Sequence, residues 1–429
     1  MIHNKHRVLI FPAGAENALN IYDSLHYNLH LEVYGLSGKP DHARYKYDSE
    51  HYIEGNYYIT SPSFIDDFND LIRQKEIELI IPTHDTIAQY LANHANDIAA
   101  KIVGSNSRTS TICREKKKIY ELFNDCDFCP NIYSDPEFIE DYPVFVKPNQ
   151  GEGSKGAERK ESRKELLNFL NSKQDMVISE YLPGDELTVD CFSDRQGQLR
   201  FIGPRTRERV QMGISFHSTN IPLTQDIKIM AGIIHDRMHP RGAWFFQVKQ
   251  DVSGKFKLME VSVRQAGTMA LYRQQGINFA LLSVFDALDM DIEILQNKFN
   301  INLDRCLYNR YALSFEYSNI YVDFDDTIIV NGKVNDMMMQ FLYQSVNSGK
   351  RIVLITRHDG DINESLFKYR ISENLFDEII YLNPFEEKYP FINPDQSIFI
   401  DNFFQDRKKV FSELGIPVFD VDAIECLLK

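Results

Sequence analysis

Short apolar runs, each ending in a polar or glycine turn that hands over to a helical stretch, recur at both ends of this 429-residue chain and give way to another rhythm in its middle. Such alternation closes most readily as a parallel sheet, because parallel neighbours need a crossover of a dozen or more residues between them. At the N-terminal end the runs are Arg7 to Phe11, Leu31 to Gly35, Glu78 to Pro82 and Lys101 to Gly104, with a turn at Gly14 and a helix from about Glu16. They predict an open parallel sheet over residues 1–112. A polar stretch, Ser105 to Ser110, then leads into a helix carrying Glu115, Lys116, Lys117 and Lys118. From about 140 to 270 strand-like segments are separated by tight charged turns such as Gly184-Asp185-Glu186 and Asp251 to Lys255, which suits antiparallel sheet. A helical stretch over Asn278 to Leu288 closes this second segment, 113–305, and a bridge leads to a new apolar strand at Asn319 to Asp323. From 317 to 429 the α/β rhythm resumes. The expected fold class is therefore multidomain, α/β at both ends and α+β between, with no internal repeat.

Composition narrows the partners. Apolar residues make up 43% of the chain, enough for a core in each segment, and the formal net charge of −15 argues against a surface for nucleic acid or anionic membrane. No apolar run approaches the roughly 20 residues of a bilayer span, and residues 1–7 lead into a strand rather than a signal peptide, so a cytoplasmic protein is expected. A homo-oligomer is compatible with the sequence. Cys113, Cys126, Cys129, Cys191, Cys306 and Cys426 are scattered. Cys126 and Cys129 form a CxxC with no second pair to complete a metal set, and are read as reduced thiols.

The first chemical signal is Val144-Phe145-Val146-Lys147-Pro148, followed by a loop with Gly151, Gly153, Ser154 and Gly156. A lysine at a strand end can meet phosphates, and glycines let backbone N–H groups approach them. Val177 to Glu180 then supplies a strand ending in an acid, and Glu186 a second acid after a turn. Arg205 and Arg207 put guanidiniums where an anionic intermediate can sit. In Leu258 to Arg264 the period of two places Glu260, Ser262 and Arg264 on one strand face, with Gln247 on a neighbouring strand, an oxygen-rich group suited to Mg²⁺. Pro82-Thr83-His84-Asp85 ends a predicted strand, where a doubly wound sheet presents ligands; His84 there is either a helix-start residue beside an Asp cap or a substrate contact.

This ordered set resembles the ATP-grasp superfamily, most closely the short proteins similar to one synthetase unit of the carbamoyl-phosphate synthase large subunit, over about residues 5–290. The resemblance implies a pre-ATP-grasp domain at 1–112 and an ATP-grasp fold at 113–305. It implies that Lys116, Lys147, Gly151, Gly153 and Ser154 contact the phosphates of ATP, Glu180 and Leu182 the adenine, and Glu186 the ribose. Gln247, Glu260 and Ser262 take the family's metal positions and Arg264 its companion arginine. The family commonly has Asn where this chain has Ser262, which puts the second metal position in question.

The sharpest motif is Tyr321-Val322-Asp323-Phe324-Asp325, a strand ending in two carboxylates one residue apart. One can attack phosphorus while the other handles the proton of the leaving oxygen and then of water. Leu354-Ile355-Thr356 ends a second strand with a hydroxyl, Lys388 offers a cation with Lys368 as a rival, and Ile398-Phe399-Ile400-Asp401 ends a third strand with a carboxylate. Together they resemble the haloacid dehalogenase (HAD) superfamily. The resemblance implies a Rossmannoid domain at 317–429 with Asp323 as nucleophile, Asp325 as acid and base, and Thr356 and Lys388 on the phosphate. Asp323, Asp325 and Asp401 would surround the metal. Asn402 stands where many members carry a second acid, for which Asp406 is a substitute. Only 28 residues lie between Thr327 and Thr356, too few for a large cap.

The expectation is a bifunctional enzyme: an ADP-forming ligase joining a carboxylate to an amine through an acyl phosphate, and a phosphatase for a small phosphate ester, with ATP and Mg²⁺ or Mn²⁺. The alternatives are a nucleotide-binding regulatory or scaffold module controlling the phosphatase, and carbamoyl-phosphate-like synthesis.

Overall fold

Strands β1 (His6–Phe11), β2 (Leu31–Ser37), β3 (Tyr52–Glu54), β4 (Leu79–Pro82) and β5 (Lys101–Ile102) pair in parallel in the order β3-β2-β1-β4-β5, as the first apolar runs predict. The computed structural model describes residues 5–428 except 152, 154, 212, 307, 310 and 312. Along β1 the period of two sends Val8 and Ile10 to one face and Leu9 and Phe11 to the other. Helix α1 (Glu16–Leu25) covers the first face, and α2 (Phe64–Lys75) and α3 (Asp85–Asn93) the second. The sheet order reverses between β1 and β4, so the starts of α1 and α3 flank the point where such sheets present ligands.

Helices α4 (Ser107–Arg114) and α5 (Lys116–Leu122) follow, the first capped by the Asn106 side chain, which accepts from the Thr109 N–H. A small antiparallel sheet comes next, formed by β6 (Ile132–Tyr133), β7 (Val144–Pro148), β8 (Glu158–Lys160) and β9 (Met176–Glu180) in the order β6-β9-β7-β8, with α6 (Arg163–Leu170) packed on it.

The larger antiparallel sheet contains β10 (Glu186–Ser193) and β11 (Leu199–Thr206). After β12 (Glu208–Gln211), β13 (Ile214–Thr219) and α7 (Gln225–Met238) it is completed by β14 (Gly242–Gln250) and β15 (Phe256–Ser262), in the order β11-β10-β14-β15. One face buries Val189, Trp244, Phe246 and Val248 against α5 and α7. Burying a side chain such as Phe246 or Val248 stabilises the fold by about 1.5–3 kcal/mol. The opposite face carries Thr188, Asp190, Gln247 and Ser262. After α8 (Ala270–Gln274) comes α9 (Phe279–Ala287), which places Phe279 in the core beneath this sheet and Ala280 and Val284 in the core of the first parallel sheet. This sharing ties residues 1–307 into one compact unit, which β16 (Asn302–Asp304) completes by pairing with β13.

Residues 308–429 form a second compact unit. Its five parallel strands are β17 (Asn319–Val322) and, after a small hairpin of β18 (Ile329–Val330) and β19 (Lys333–Val334) and helix α10 (Asp336–Asn347), β20 (Arg351–Thr356). Helix α11 (Ile362–Lys368), β21 (Glu378–Tyr381), β22 (Ser397–Ile400), α12 (Phe404–Leu414) and β23 (Val418–Phe419) complete it. The strand order β21-β20-β17-β22-β23 puts β17 at the centre, so the ends of β20, β17 and β22 are adjacent. Among the described residues no helix is long and apolar enough to cross a membrane.

Candidate active sites

In the first unit the lysine at the end of β7 is buried. Lys147 donates to the Tyr120 hydroxyl at 2.6 Å and to the Met259 carbonyl at 3.2 Å. Burial lowers its pKa to about 8, against the pull of Glu260 and Glu186. Lys116, first residue of α5, reaches the Gly151 carbonyl at 3.4 Å; burial lowers its pKa too, opposed by Glu260 and assisted by Lys147. Two lysines and Glu260 therefore gather beside the glycine loop. In that loop Gly153 and Gly156 adopt φ of 62° and 74°, a left-handed backbone that glycine takes without strain. Ser154 lies outside the described residues.

Gln247 and Glu260 are register partners on β14 and β15, and Ser262 follows two residues on. The donor set fits Mg²⁺ in type, a carboxylate and an amide oxygen on one sheet face near Lys116 and Lys147. The Ser262 hydroxyl is already engaged, donating to Asp85 Oδ1 at 2.5 Å, while Arg264 Nε donates to Asp85 Oδ2 at 2.9 Å. Asp85 begins α3, so this carboxylate links the parallel sheet to β15. His84 precedes it at the N-cap, with no side-chain capping bond. Glu180 accepts from the Asn131 N–H at 2.8 Å, and Leu182 is buried close by in sequence. Glu186 and Arg207, expected in separate roles, pair with each other at 2.5 Å.

Arg205 is engaged within the sheet. Register pairs it with Thr188 on the functional face, yet its guanidinium is 1% exposed and clasps Asp190 through Nε at 2.7 Å and Nη2 at 3.0 Å. A buried bidentate pair of this kind braces β10 against β11, while Nη1 of Arg205 is left without a hydrogen-bond partner.

In the second unit the strand-end residues converge. Lys388 Nζ donates to Asp323 Oδ1 at 2.6 Å and to Asp401 Oδ2 at 2.7 Å, with Asp406 Oδ2 at 3.7 Å. All four residues are buried. Burial pushes Asp323 up to about 6, Lys388 opposing and Asp401 adding, and it raises Asp401 as well. Three carboxylates stand against Lys388 and Arg357, an excess of negatively charged oxygen donors, although among the described residues no group of three or more His, Cys, Asp or Glu is arranged to hold a metal ion. Thr356 Oγ1 is buried and has no hydrogen-bond partner. A buried hydroxyl without a partner is costly. Asp325 is more exposed, held by His358 Nδ1 at 2.8 Å, whose Nε2 meets Ser365 at 2.7 Å. Lys368, the rival cation, stacks on Tyr369 at 5.1 Å.

Sequence reasoning did not single out Asp85, Tyr120, Arg357 or His358. Arg357 grips Asp406 in a bidentate pair at 2.8 and 3.0 Å. The run Thr356-Arg357-His358 after an apolar strand was the available signal for the last two.

Because Lys147 is depressed to about 8, its ammonium is lost over a range that ordinary lysines survive. Affinity for a non-hydrolysable ATP analogue, measured by calorimetry, is expected to hold steady to about pH 8 and then to fall as pH rises, by up to about tenfold per unit. Lys147→Arg is expected to flatten that profile.

Comparison with known proteins agrees with the architecture of the first unit. Residues 113–217 match the family described as ATP-grasp domain, and residues 172–304 match one described as ATP-grasp in the biosynthetic pathway with Ter operon. A carbamoyl phosphate synthase large chain from Clostridium botulinum is 22% identical over 222 residues, covering 46% of this chain and 20% of that protein. A D-alanine–D-alanine ligase from Thermotoga petrophila is 29% identical over 110 residues, covering 23% of this chain and 36% of the ligase. The biotin carboxylase domain of a Hydrogenobacter thermophilus 2-oxoglutarate carboxylase, solved with MgADP, ADP and bicarbonate, superposes with a TM-score of 0.57 at 14% identity. That likeness covers 68% of this chain and 71% of the other. This chain carries an ATP-grasp domain. It spans about a fifth of the length of the synthase large chains it matches.

Proposed function

We propose that the chain is a bifunctional enzyme: a Mg²⁺- and ATP-dependent ligase that joins a carboxylate to an amine in its first unit, and an aspartate-nucleophile phosphatase for a small phosphate ester in its second. The observation that carries the ligase reading is the gathering of Lys116, Lys147, Gln247 and Glu260 beside a glycine loop within a domain that matches ATP-grasp families. Lys116 and Lys147 hold and neutralise phosphate oxygens; Gln247 and Glu260 hold the metal, which supplies further charge neutralisation to a phosphoryl transfer. A substrate carboxylate oxygen takes the γ-phosphoryl group and ADP leaves. The amine nitrogen then bonds to the carbonyl carbon of the acyl phosphate, and phosphate and a proton leave.

For the second unit the support is the three-strand-end cluster with its unpartnered Thr356 hydroxyl. Asp323 forms the bond to phosphorus, and Asp325 gives its proton to the departing oxygen, then takes one from the water that hydrolyses the aspartyl phosphate. Thr356 and Lys388 hold the phosphoryl oxygens, and Asp323 and Asp401 hold the metal.

A regulatory ATP-binding module is favoured by one observation only, the capture of Ser262 by Asp85. Incubation with ATP, Mg²⁺ and pooled carboxylates and amines separates the two readings. The ligase yields ADP in step with a condensation product detectable by mass, whereas tight binding of ATP without substrate-dependent ADP sinks it. A pool of phosphomonoesters tests the second unit by release of phosphate.

A further inference from the structure

A cavity of about 650 Å³ opens in the first unit between β5, the start of α4, the turn joining β10 to β11 and the end of α7. We propose that it is a second anion site, built for a small molecule bearing phosphate groups. Its volume is in the range of small-molecule sites, about 300–1,000 Å³. Lys101, Arg195, Arg241, His235 and His239 line it, and Asp194 is the one carboxylate among its described lining residues. Asp194 is already engaged, its Oδ1 accepting from the N–H groups of Gln196 and Gln198 at 3.1 and 2.8 Å within its own turn and its Oδ2 lying 3.6 Å from Arg200 Nε.

The basic side chains are held from behind. Lys101 meets Asp289 at 3.1 Å, Arg195 meets Asp291 at 2.6 Å and Arg241 meets Asp286 at 2.7 Å, and none of these three aspartates lines the cavity. Three permanently basic residues line the space, and the carboxylates paired with them do not. Asp289 and Asp291 are mostly exposed, so water screens their hold on Lys101 and Arg195 and leaves both able to turn to a stronger anion. The first residue of α4, Ser107, also lines the cavity, which brings the positive end of a helix to it.

An independent sign comes from His235, which is 8% exposed. Its Nδ1 bonds Asp236 at 3.1 Å, and Nε2, across the ring, is buried with no hydrogen-bond partner. His235 lines the cavity, and a ring nitrogen left without a partner there is a cost that a hydrogen-bonding ligand relieves if the ring turns toward it. Guanidinium, ammonium, imidazole and a helix start together match phosphate better than any uncharged group.

The cavity stands apart from the ATP site. Glu186 and Ser193 are the two ends of β10, about 23 Å apart at ~3.3 Å per residue, and Asp194 follows Ser193. None of Lys116, Lys147, Gln247 and Glu260 lines it. Helix α4 runs from this cavity toward Lys116, so one element serves both places.

Titration of inorganic pyrophosphate into the full chain by calorimetry, with EDTA present, tests the assignment. The expected result is saturable binding that survives Lys147→Ala and weakens at least about tenfold in the Lys101→Ala/Arg195→Ala double variant. Unchanged emission from Trp244, the single tryptophan, reports that the variants fold. Arg195→Glu alone, at a partly exposed side chain, is expected to weaken binding in the same direction, and Arg195→Lys to keep most of it. Absence of saturable binding overturns the proposal, as does binding that the double variant leaves intact or that Lys147→Ala abolishes.

Discussion

Replacing Asp323 by asparagine is expected to stop phosphate release from phosphomonoesters, by a factor on the order of a million, while ATP affinity and ligase turnover stay at the wild-type level. Asparagine keeps the shape of the side chain and removes the nucleophilic oxygen pair. It also leaves Lys388 its contact with Asp401 at 2.7 Å, so the cluster stays assembled. Stability supports the use of this variant. The pKa of Asp323 is raised to about 6, so the folded protein binds its proton more tightly than the unfolded chain does. That contribution is fully present below the ordinary carboxylate range and is lost as pH rises through about 6, so at pH 7 the ionised group costs stability. Asp323→Asn removes that cost but also one of the two carboxylates that hold the buried Lys388 ammonium, so its thermal midpoint at pH 7 is expected to stay near that of the wild type. A variant that folds and still releases phosphate at more than a hundredth of the wild-type rate would falsify the role of Asp323.

The parts of both sites visible in the sequence are those that local geometry dictates. A parallel strand delivers the residue after its last apolar position to one edge of the sheet, so Asp323, Thr356 and Asp401 could be read as neighbours once three such strands were recognised. Lys147 and Glu260 follow from the same logic on antiparallel strands. What stayed hidden depends on register and on contacts between distant segments. Arg205 and Asp190 are 15 residues apart on adjacent strands, and only the pairing of β10 with β11 shows that they bury each other. Asp85 lies 177 residues before Ser262, and nothing local to either marks the contact. The same holds for α9, whose pattern predicts a helix but not that its two faces serve two cores. Lys388 falls between these cases: it was legible as a candidate cation with Lys368 as its rival, whereas its burial among three carboxylates was not.

Lys147→Met separates binding of ATP from the stability of the fold. The wild-type ammonium is buried and its pKa is lowered to about 8. The folded chain thus holds that proton less tightly than the unfolded one, and charging Lys147 costs stability at all pH values below about 8, a cost that fades as pH rises toward the ordinary lysine range. Methionine fills a similar volume without a charge. The groups Lys147 leaves behind keep a bond of their own, because the Tyr120 hydroxyl donates to the Met259 carbonyl at 2.7 Å. The variant is therefore expected to melt at or above the wild-type temperature at pH 7. Its ADP formation with saturating substrates is expected to fall by about a hundred- to a thousandfold, the usual effect of removing one preorganised charge-stabilising group. Glu260→Gln is expected to show a loss of similar size together with a higher Mg²⁺ requirement, since it removes the carboxylate of the proposed metal pair and leaves Lys116 and Lys147 without their common counter-charge. Phosphate release by the second unit is expected to be unchanged in both variants. A folded Lys147→Met protein that forms ADP at the wild-type rate would mean that the phosphates are held elsewhere and that Lys147 is not part of the ligase site.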